Sequence, residues 1–320
     1  MNHSKEYVVV DLIGGLGNQL FGLVFGSALS EKLSCNLELD KSLIRFGSNS
    51  DRKLEIQNLN FGLKIFKIKQ SNLFRLLAFT KIKLFKKVSG KLIITRRKSI
   101  KEKDLGESKI EINKRYSGYF QDWMYADYLL QENSKFFPTL SKDTLTGSDL
   151  LEEFSVAKPV LVHIRLGDYL KFSVVYEVLS EQYYLSAIGK LIEYEKTKEI
   201  WLVIEDLEQV TNYYPNLIKM ASKIIDKNIG LKDHEVFYLM TQSTYLIASN
   251  STFSLWAAWF VLNNEGKVIV PSVFKVSGIP SKLIDERWDS IDIYDFTFKP
   301  KREIELIRAE NMVRFNNLFL

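Results

Sequence analysis

The stretch His163-Ile164-Arg165-Leu166-Gly167-Asp168-Tyr169 gathers an imidazole, a guanidinium and a carboxylate directly after the apolar run Val160-Leu161-Val162. An arginine offers a rigid fork of donors matched to phosphate oxygens, and an imidazole beside it can hydrogen-bond a sugar or a base. If the apolar run is a strand, the pair stands at its carboxyl end, where ligands bind in open α/β sheets. The pattern points to a site for a phosphorylated ligand. A structural ion pair of Arg165, with His163 satisfied by backbone, is the competing reading.

Two further segments supply donors of the same kind. Gly14-Gly15-Leu16-Gly17-Asn18-Gln19-Leu20 lies between a strand pattern and a helix pattern, where free backbone N–H groups and the helix dipole favour an anion. It approaches the dinucleotide fingerprint, with Asp40 as the acidic residue after the next strand. It departs at Leu20, which stands where a third glycine or alanine lets helix and strand pack closely. A tight turn without a ligand stays open. Ser249-Asn250-Ser251-Thr252-Phe253-Ser254 precedes a helix through Ala257, Ala258 and Phe260, and its hydroxyls and amide either cap that helix or hold a diphosphate. Glu235, at the rim of a helix over Val236 to Met240, can accept two hydrogen bonds from the N1 and N2 edge of guanine. A solvated glutamate favoured by the helix dipole is the alternative there.

Metal chemistry finds little support. His3, His163 and His234 show no ligand spacing, and no aspartate is separated from another by a single residue, so no metal is expected. The charge of a leaving diphosphate then falls to Arg165 and backbone donors.

The elements that must position these groups are legible as periodicities. Glu6 to Leu12 reads as a strand, Gly14 to Gly17 as a turn, and Asn18 to Leu33 as a helix with Phe21, Phe25, Leu29 and Leu33 on a four-residue repeat. Asn36 to Leu39 follows as a second strand, giving a βαβ opening. In the second half, apolar cores recur at Val160 to Ile164, Trp201 to Ile204, Lys223 to Ile225, Tyr245 to Ala248 and Val268 to Val270. Successive starts after the second are about 22 residues apart, the length of one strand plus one helix. The expectation is an α/β chain of two domains, residues 1–150 and 151–299, with a linker in the polar stretch Ser141 to Ser155. Residues 300–320, with Ile304, Ile307, Met312 and Phe315 amid charges, read as an amphipathic helix.

A chain of 320 residues with 46% hydrophobic and 13% aromatic content can bury a large core. The opening Met1-Asn2-His3-Ser4-Lys5-Glu6 is polar, and no stretch approaches the roughly 20 apolar residues of a membrane span, so a cytoplasmic protein is expected. The one cysteine, Cys35, excludes an intrachain disulfide and reads as a buried structural thiol. The net charge of +5 conceals an asymmetry: residues 64–103 hold fourteen Lys and Arg against Glu102 alone, leaving the remainder net negative. Phe66, Phe74, Leu77, Phe79, Phe85 and Ile93 are threaded through this basic insertion, a mixture suited to peripheral contact with an anionic membrane. Nucleic acid is not the expected partner, and a solvated basic face is the plainer reading.

Taken together, Gly14-Gly15-Leu16-Gly17-Asn18-Gln19-Leu20-Phe21, the His163-to-Tyr169 segment and Asn250-Ser251-Thr252-Phe253-Ser254 resemble the α1,2-fucosyltransferases of glycosyltransferase family eleven, in the same order and spacing. Weaker similarities lie at Gly118-Tyr119-Phe120-Gln121, Glu181-Gln182-Tyr183-Tyr184 and Leu239-Met240. The resemblance implies a GT-B-like fold of two Rossmann-like domains facing a cleft, the acceptor toward residues 1–150 and the donor in residues 151–299. It implies an inverting, metal-independent transferase moving L-fucose from GDP-β-L-fucose to a hydroxyl, usually the 2-OH of galactose, of a surface polysaccharide such as O-antigen or capsule, or of a lipid-linked oligosaccharide. Arg165 would hold the diphosphate and His163 the nucleoside. Asn250, Ser251, Thr252 and Phe253 would line the phosphates, Glu235 would read guanine, and Gly15, Gly17 and Asn18 would approach from the other domain. Asp168 is a candidate general base or the carboxylate that orients Arg165. Two departures stand out: Leu166 occupies the place of a second arginine, and position 235 is more often Asp than Glu.

Overall fold

In the computed structural model the chain is described at residues 6–44, 52–65, 67–70, 99–101, 105, 110–133, 136–140, 148–171, 173, 175–195, 199–272, 274, 283–284, 287–291 and 301–317. It forms two compact units. The first comprises residues 1–57, 62–136 and 309–320, and the second residues 58–61 and 137–308.

In the first unit, strands β1 (Tyr7–Asp11), β2 (Asn36–Asp40), β3 (Lys67–Lys69), β4 (Ser99–Lys101) and β5 (Arg115–Ser117) form a parallel sheet in the order β3-β2-β1-β5-β4. Helix α1 (Leu16–Lys32) joins β1 to β2, and α2 (Met124–Glu132) packs beside it. The four-residue repeat of α1 understates its burial, because its small residues are buried as well: Gly22, Gly26, Ser27 and Ala28 all face protein. A Cβ on Gly26 would come within 2.6 Å of Leu37 and 2.9 Å of Val10. The close helix–sheet approach that Leu20 seemed to deny is therefore supplied two and six residues later, by Gly22 and Gly26. Around it Phe25 stacks on Phe120 at 3.8 Å, and Phe21 meets Trp123 at 4.9 Å.

In the second unit, β6 (Val160–His163), β7 (Ile200–Val203), β8 (Lys223–Ile225), β9 (Tyr245–Ile247), β10 (Lys267–Pro271) and β11 (Asp289–Ile291) make a second parallel sheet in the order β11-β10-β9-β6-β7-β8. Counted from β6, this is the 3-2-1-4-5-6 order of a doubly wound Rossmann sheet. The helices are α3 (Ser148–Ala157), α4 (Gly167–Lys171), α5 (Glu181–Glu195), α6 (Leu207–Tyr213), α7 (Pro215–Met220), α8 (Asp233–Thr241) and α9 (Thr252–Asn263). β6 and β7 are buried along their whole length, as strands covered on both faces must be, which is why they read as continuous apolar runs. Two Rossmann-like units in one chain make up the expected GT-B-like α/β class.

The boundary differs from the expectation. The chain passes from one unit to the other at residues 136–137, not 150–151, and α3 already belongs to the second unit, with Phe154 against Trp201 at 5.5 Å. Residues 141–147 of the expected linker lie outside the described residues. The basic segment 64–103 contributes β3 and β4, the two outer strands of the first sheet, and Lys69 pairs with Glu38. It is part of the sheet at both ends, whereas residues 71–98, and the membrane expectation with them, lie outside the described residues.

The C-terminal amphipathic helix is α10 (Lys301–Asn317). From Ala309 onward it counts with the first unit: Phe315 is fully buried against Tyr125 and Tyr128, Asn311 donates to Asp127 at 2.6 Å, and Arg314 pairs with Asp122.

Adding one methyl at the tightest glycine should strain the first unit. Gly26→Ala is expected to lower unfolding stability by about 1–3 kcal/mol, read from the urea midpoint at unchanged slope, despite the higher helix propensity of alanine.

Candidate functional site

In the second sheet β6 is followed in sequence by β7 on one side and is paired with β9 on the other. The connections leaving the carboxyl ends of β6 and β9 diverge there, opening the crevice in which doubly wound sheets bind ligands. The sequence puts its two strongest segments at these two strand ends: His163 closes β6 and leads to Arg165, and Ser249 to Ser251 lead from β9 into α9.

The structure brings the two segments together. His163 Nδ1 lies 3.0 Å from Ser249 Oγ, and its ring is tilted against Phe253 at 5.6 Å. Burial, reinforced by the Arg165 charge, pushes the His163 pKa down to about 3, so the imidazole is neutral at physiological pH. Phe253 in turn meets Phe237 of α8 at 5.3 Å, placing the first turn of α9 beside α8. Ser251 is the N-cap of α9 and accepts from Ser254 N at 3.2 Å, while Ser254 Oγ accepts from Ser249 N at 2.9 Å. The hydroxyls of Ser251 and Ser254 thus serve the capping role first. Thr252 and Phe253 are half-buried in the first turn.

Asn250 departs from its expected role. Its side chain is fully buried and donates to Glu177 O at 2.7 Å and Phe274 O at 3.2 Å, while its own carbonyl accepts from Tyr169 at 2.8 Å. The amide ties the segments after α4 and β10 to the end of β9, and so shapes the site without presenting a donor to it. Tyr183 adds a parallel tie, donating to Ala248 O at 2.7 Å.

Arg165 is held from two sides. Its Nη2 pairs with Asp168 at 2.7 Å, its Nη1 pairs with Glu205, and the guanidinium lies 5.7 Å from the Tyr169 ring centroid. The ion-pair reading of Arg165 is thus what the structure shows, with Asp168 and Glu205 as its partners. Leu166 points the other way: it is 2% exposed and packs in the core with Ile164, Leu179 and Tyr184. An arginine at position 166 would have to leave that core.

Glu235 is buried, and one carboxylate oxygen accepts from Lys232 N at 2.9 Å, the reciprocal half of a capping box. It starts α8, whose N-terminus lies at the same end of the sheet as that of α9. Beside it His234 Nδ1 is 3.3 Å from Asn58 Nδ2, contributed by the excursion of residues 58–61 into this unit. A cavity of about 340 Å³ lined by Leu151, Phe154, Lys158, Tyr238 and Thr244 lies at the amino ends of β6 and β9, away from this constellation.

The first unit has its own switch point between β1 and β5. Gly14 adopts φ +71°, which favours glycine, and Gly15 is the N-cap of α1 with no side-chain cap and no acidic residue in the first turn. Gly17 is buried, and Asn18 is half-buried and accepts from Gln121 Nε2 at 3.0 Å. Gln19 is fully buried and staples the turn: its Nε2 donates to Gly14 O at 2.9 Å and Lys53 O at 2.7 Å, and its Oε1 accepts from Glu55 N at 3.0 Å. At the carboxyl ends of β1 and β2, buried Asp11 and Asp40 share Arg115. Sequence reasoning missed Glu205, Asn58 and Arg115, and named Gln121 only within the similar segment Gly118 to Gln121. Each is a partner brought from far along the chain.

Among the described residues no group of three or more His, Cys, Asp or Glu gathers as a metal site, and no helix is long and apolar enough to cross a membrane. Against known families, the model of Glycosyl transferase family 11 matches residues 92–277, more than half of the chain. The chain belongs to glycosyl transferase family 11. A family 11 assignment fits two Escherichia coli relatives. An alpha-1,2-colitosyltransferase is 27% identical over 83% of this chain and 91% of its own length, and the O-antigen biosynthesis glycosyltransferase WbnK is 26% identical over 87% and 98%. The fucosyltransferase NodZ from Bradyrhizobium superposes with a TM-score of 0.49 at 12% identity, covering 81% of this chain and 94% of NodZ. The family 11 segment spans β6 through β10 and so contains the His163, Arg165 and Ser249 to Ser254 constellation whole.

Burial raises the Asp11 pKa above its ordinary 3.8, an effect that Arg115 opposes and Asp40 reinforces. A carboxyl that holds its proton more tightly when folded contributes stability that is fully present below about pH 3.8 and is lost as pH rises through the folded value. Asp11→Asn should therefore gain stability relative to the parent chain as pH rises from about 4 to 7, seen in urea midpoints across that range. The opposite trend would mean that attraction to Arg115 outweighs burial.

Proposed function

We propose that the chain is an inverting, metal-independent transferase that moves L-fucose from GDP-β-L-fucose to a galactoside hydroxyl, forming an α1,2 linkage on a surface polysaccharide or a lipid-linked oligosaccharide. The observation that carries the reading is the convergence of Arg165 and the neutral His163 with the N-terminus of α9 at the switch point of the second sheet. A cationic fork beside free backbone N–H groups suits a diphosphate leaving group, and family 11 membership supplies the glycosyl-transfer chemistry.

In the reaction the acceptor hydroxyl displaces GDP in line at the anomeric carbon. Arg165 and the backbone donors at Thr252 and Phe253, in the first turn of α9, take up the negative charge that develops on the β-phosphate. His163, held by Ser249, contacts the nucleoside as a neutral hydrogen-bonding group, so that Arg165 supplies the positive charge at this strand end. Asp168 orients Arg165. Glu235, whose carboxylate also accepts from Lys232 N, reads the guanine edge. No metal step is required, because the fork and the helix donors carry the charge.

A second reading keeps the scaffold and changes the sugar. The colitosyltransferase relative, at 27% identity over 91% of its length, favours a deoxyhexose other than fucose as the transferred group. A panel of GDP-sugars with galactoside acceptors, and product linkage determined by NMR, separates the two. GDP-fucose turnover with an α1,2 product is expected, and exclusive use of another donor would replace fucose in the reading. Tight GDP-fucose binding with neither transfer nor hydrolysis would mark a silent sugar-nucleotide binder.

Arg165→Ala should lower transfer by a hundredfold to a thousandfold, about 2.7–4 kcal/mol of transition-state stabilisation, with an unchanged circular dichroism spectrum. Near-parental transfer would sink the diphosphate assignment. The charge of residues 64–103 supports peripheral contact with an anionic membrane surface. The protein is expected to sediment with phosphatidylglycerol vesicles at low salt and to be released at high salt, and failure to sediment removes this element.

A further inference from the structure

We propose that Glu205 is a positioning residue that, together with Asp168, aims the Arg165 guanidinium, and that position 167 is glycine because the Glu205 carboxylate lies across it. The inference rests on the reading of Arg165 as the cation that receives the diphosphate, and adds to it the device that holds the fork in place.

Arg165 leaves the carboxyl end of β6 on a turn that continues into the short helix α4. An arginine side chain on such a turn has four free torsions, and ordering it costs close to the upper end of side-chain entropies. Asp168, three residues on, restrains only the Nη2 edge, and both residues belong to the same turn. Glu205 comes from a different strand: it follows β7, whose ladder to β8 runs one residue past the strand through Ile204 N to Ile225 O at 3.0 Å. Its carboxylate takes the Nη1 edge. Two carboxylates on opposite edges, one local and one anchored to the sheet, fix the guanidinium plane relative to the β6 end. The Nε side and the face turned away from Tyr169 remain for a ligand.

Gly167 carries the second mark of this arrangement. A Cβ built on Gly167 would overlap Glu205 Oε2, so a larger residue there requires the carboxylate, the end of a flexible side chain, to move off its contact with Arg165. The φ of Gly167 is not in the left-handed region, so the turn itself does not demand glycine there. Glycine leaves the passage of Glu205 over the turn to Arg165 open.

The test uses the full chain, GDP as the probe, and 15N-arginine labelling. In the parent protein, rotation about the Arg165 Cζ–Nε bond should be slow, as for a guanidinium bound at both edges. Glu205→Gln should speed that rotation and weaken GDP binding on the order of tenfold to a hundredfold, the scale of misplacing a binding group by about an ångström. Glu205→Asp should recover part of both. Gly167→Ala should mimic Glu205→Gln, and the double variant should be no weaker than either single, because both act through one contact. Unchanged Arg165 rotation in Glu205→Gln, tighter GDP binding in that variant, or additive losses in the double variant would each overturn the proposal. Arg165→Ala separates the two levels. If it leaves GDP binding intact, the diphosphate reading fails while the rotation measurement still decides the role of Glu205; if it weakens GDP and Glu205→Gln does not, the positioning role fails alone.

Discussion

A parallel sheet whose strand order reverses at one strand cannot send the two connections on either side of that reversal over the same face. β6 and β9 stand side by side in the second unit, and the chain leaves one toward β7 and the other toward β10. The constellation depends on that divergence, which sets His163 at the end of β6 against Ser249 at the end of β9, beside the capped first turn of α9. The rest of the unit holds the two strand ends still. The Asn250 amide grips Glu177 and Phe274 backbone, and Tyr169 and Tyr183 hydroxyls grip the carbonyls of Asn250 and Ala248.

Electrostatically the two units are built on opposite principles. In the second, the buried His163 imidazole is forced neutral, and the cation beside it is held by two partly exposed carboxylates. In the first, two nearly inaccessible carboxylates share Arg115, and the burial of Asp11 outweighs that attraction and raises its pKa.

Much of this was legible from residue order because the strands of the second unit are buried on both faces and its helices are short, so apolar runs and their spacing mark elements directly. β3, β4 and β5 were not legible: Lys67–Lys69, Ser99–Lys101 and Arg115–Ser117 are three-residue strands of mixed polarity, paired through neighbours distant in sequence. The site residues divide along the same line. His163, Arg165 and Ser251 stand out in the sequence because each lies at or just after a strand end. The contacts of Asn250 do not, because an amide that would suit a phosphate suits two backbone carbonyls equally well. Glu235 was read for its carboxylate, whereas half of that carboxylate completes a helix start. Glu205 gave no local sign, since its meaning lies in Gly167 and Arg165, some forty residues earlier.

The placement of Phe315 has a consequence for how the molecule comes into being. Residues 137–308 of the second unit are nearly continuous in the chain, whereas the first unit is closed by a helix segment that follows all of them. During synthesis the nascent amino-terminal sheet must wait, with Tyr125 and Tyr128 uncovered, until the later unit has emerged and had time to fold. The order of completion is thus the reverse of the order of synthesis, and the exposed aromatic pair is the surface that a ribosome-associated chaperone would have to shield in the interval.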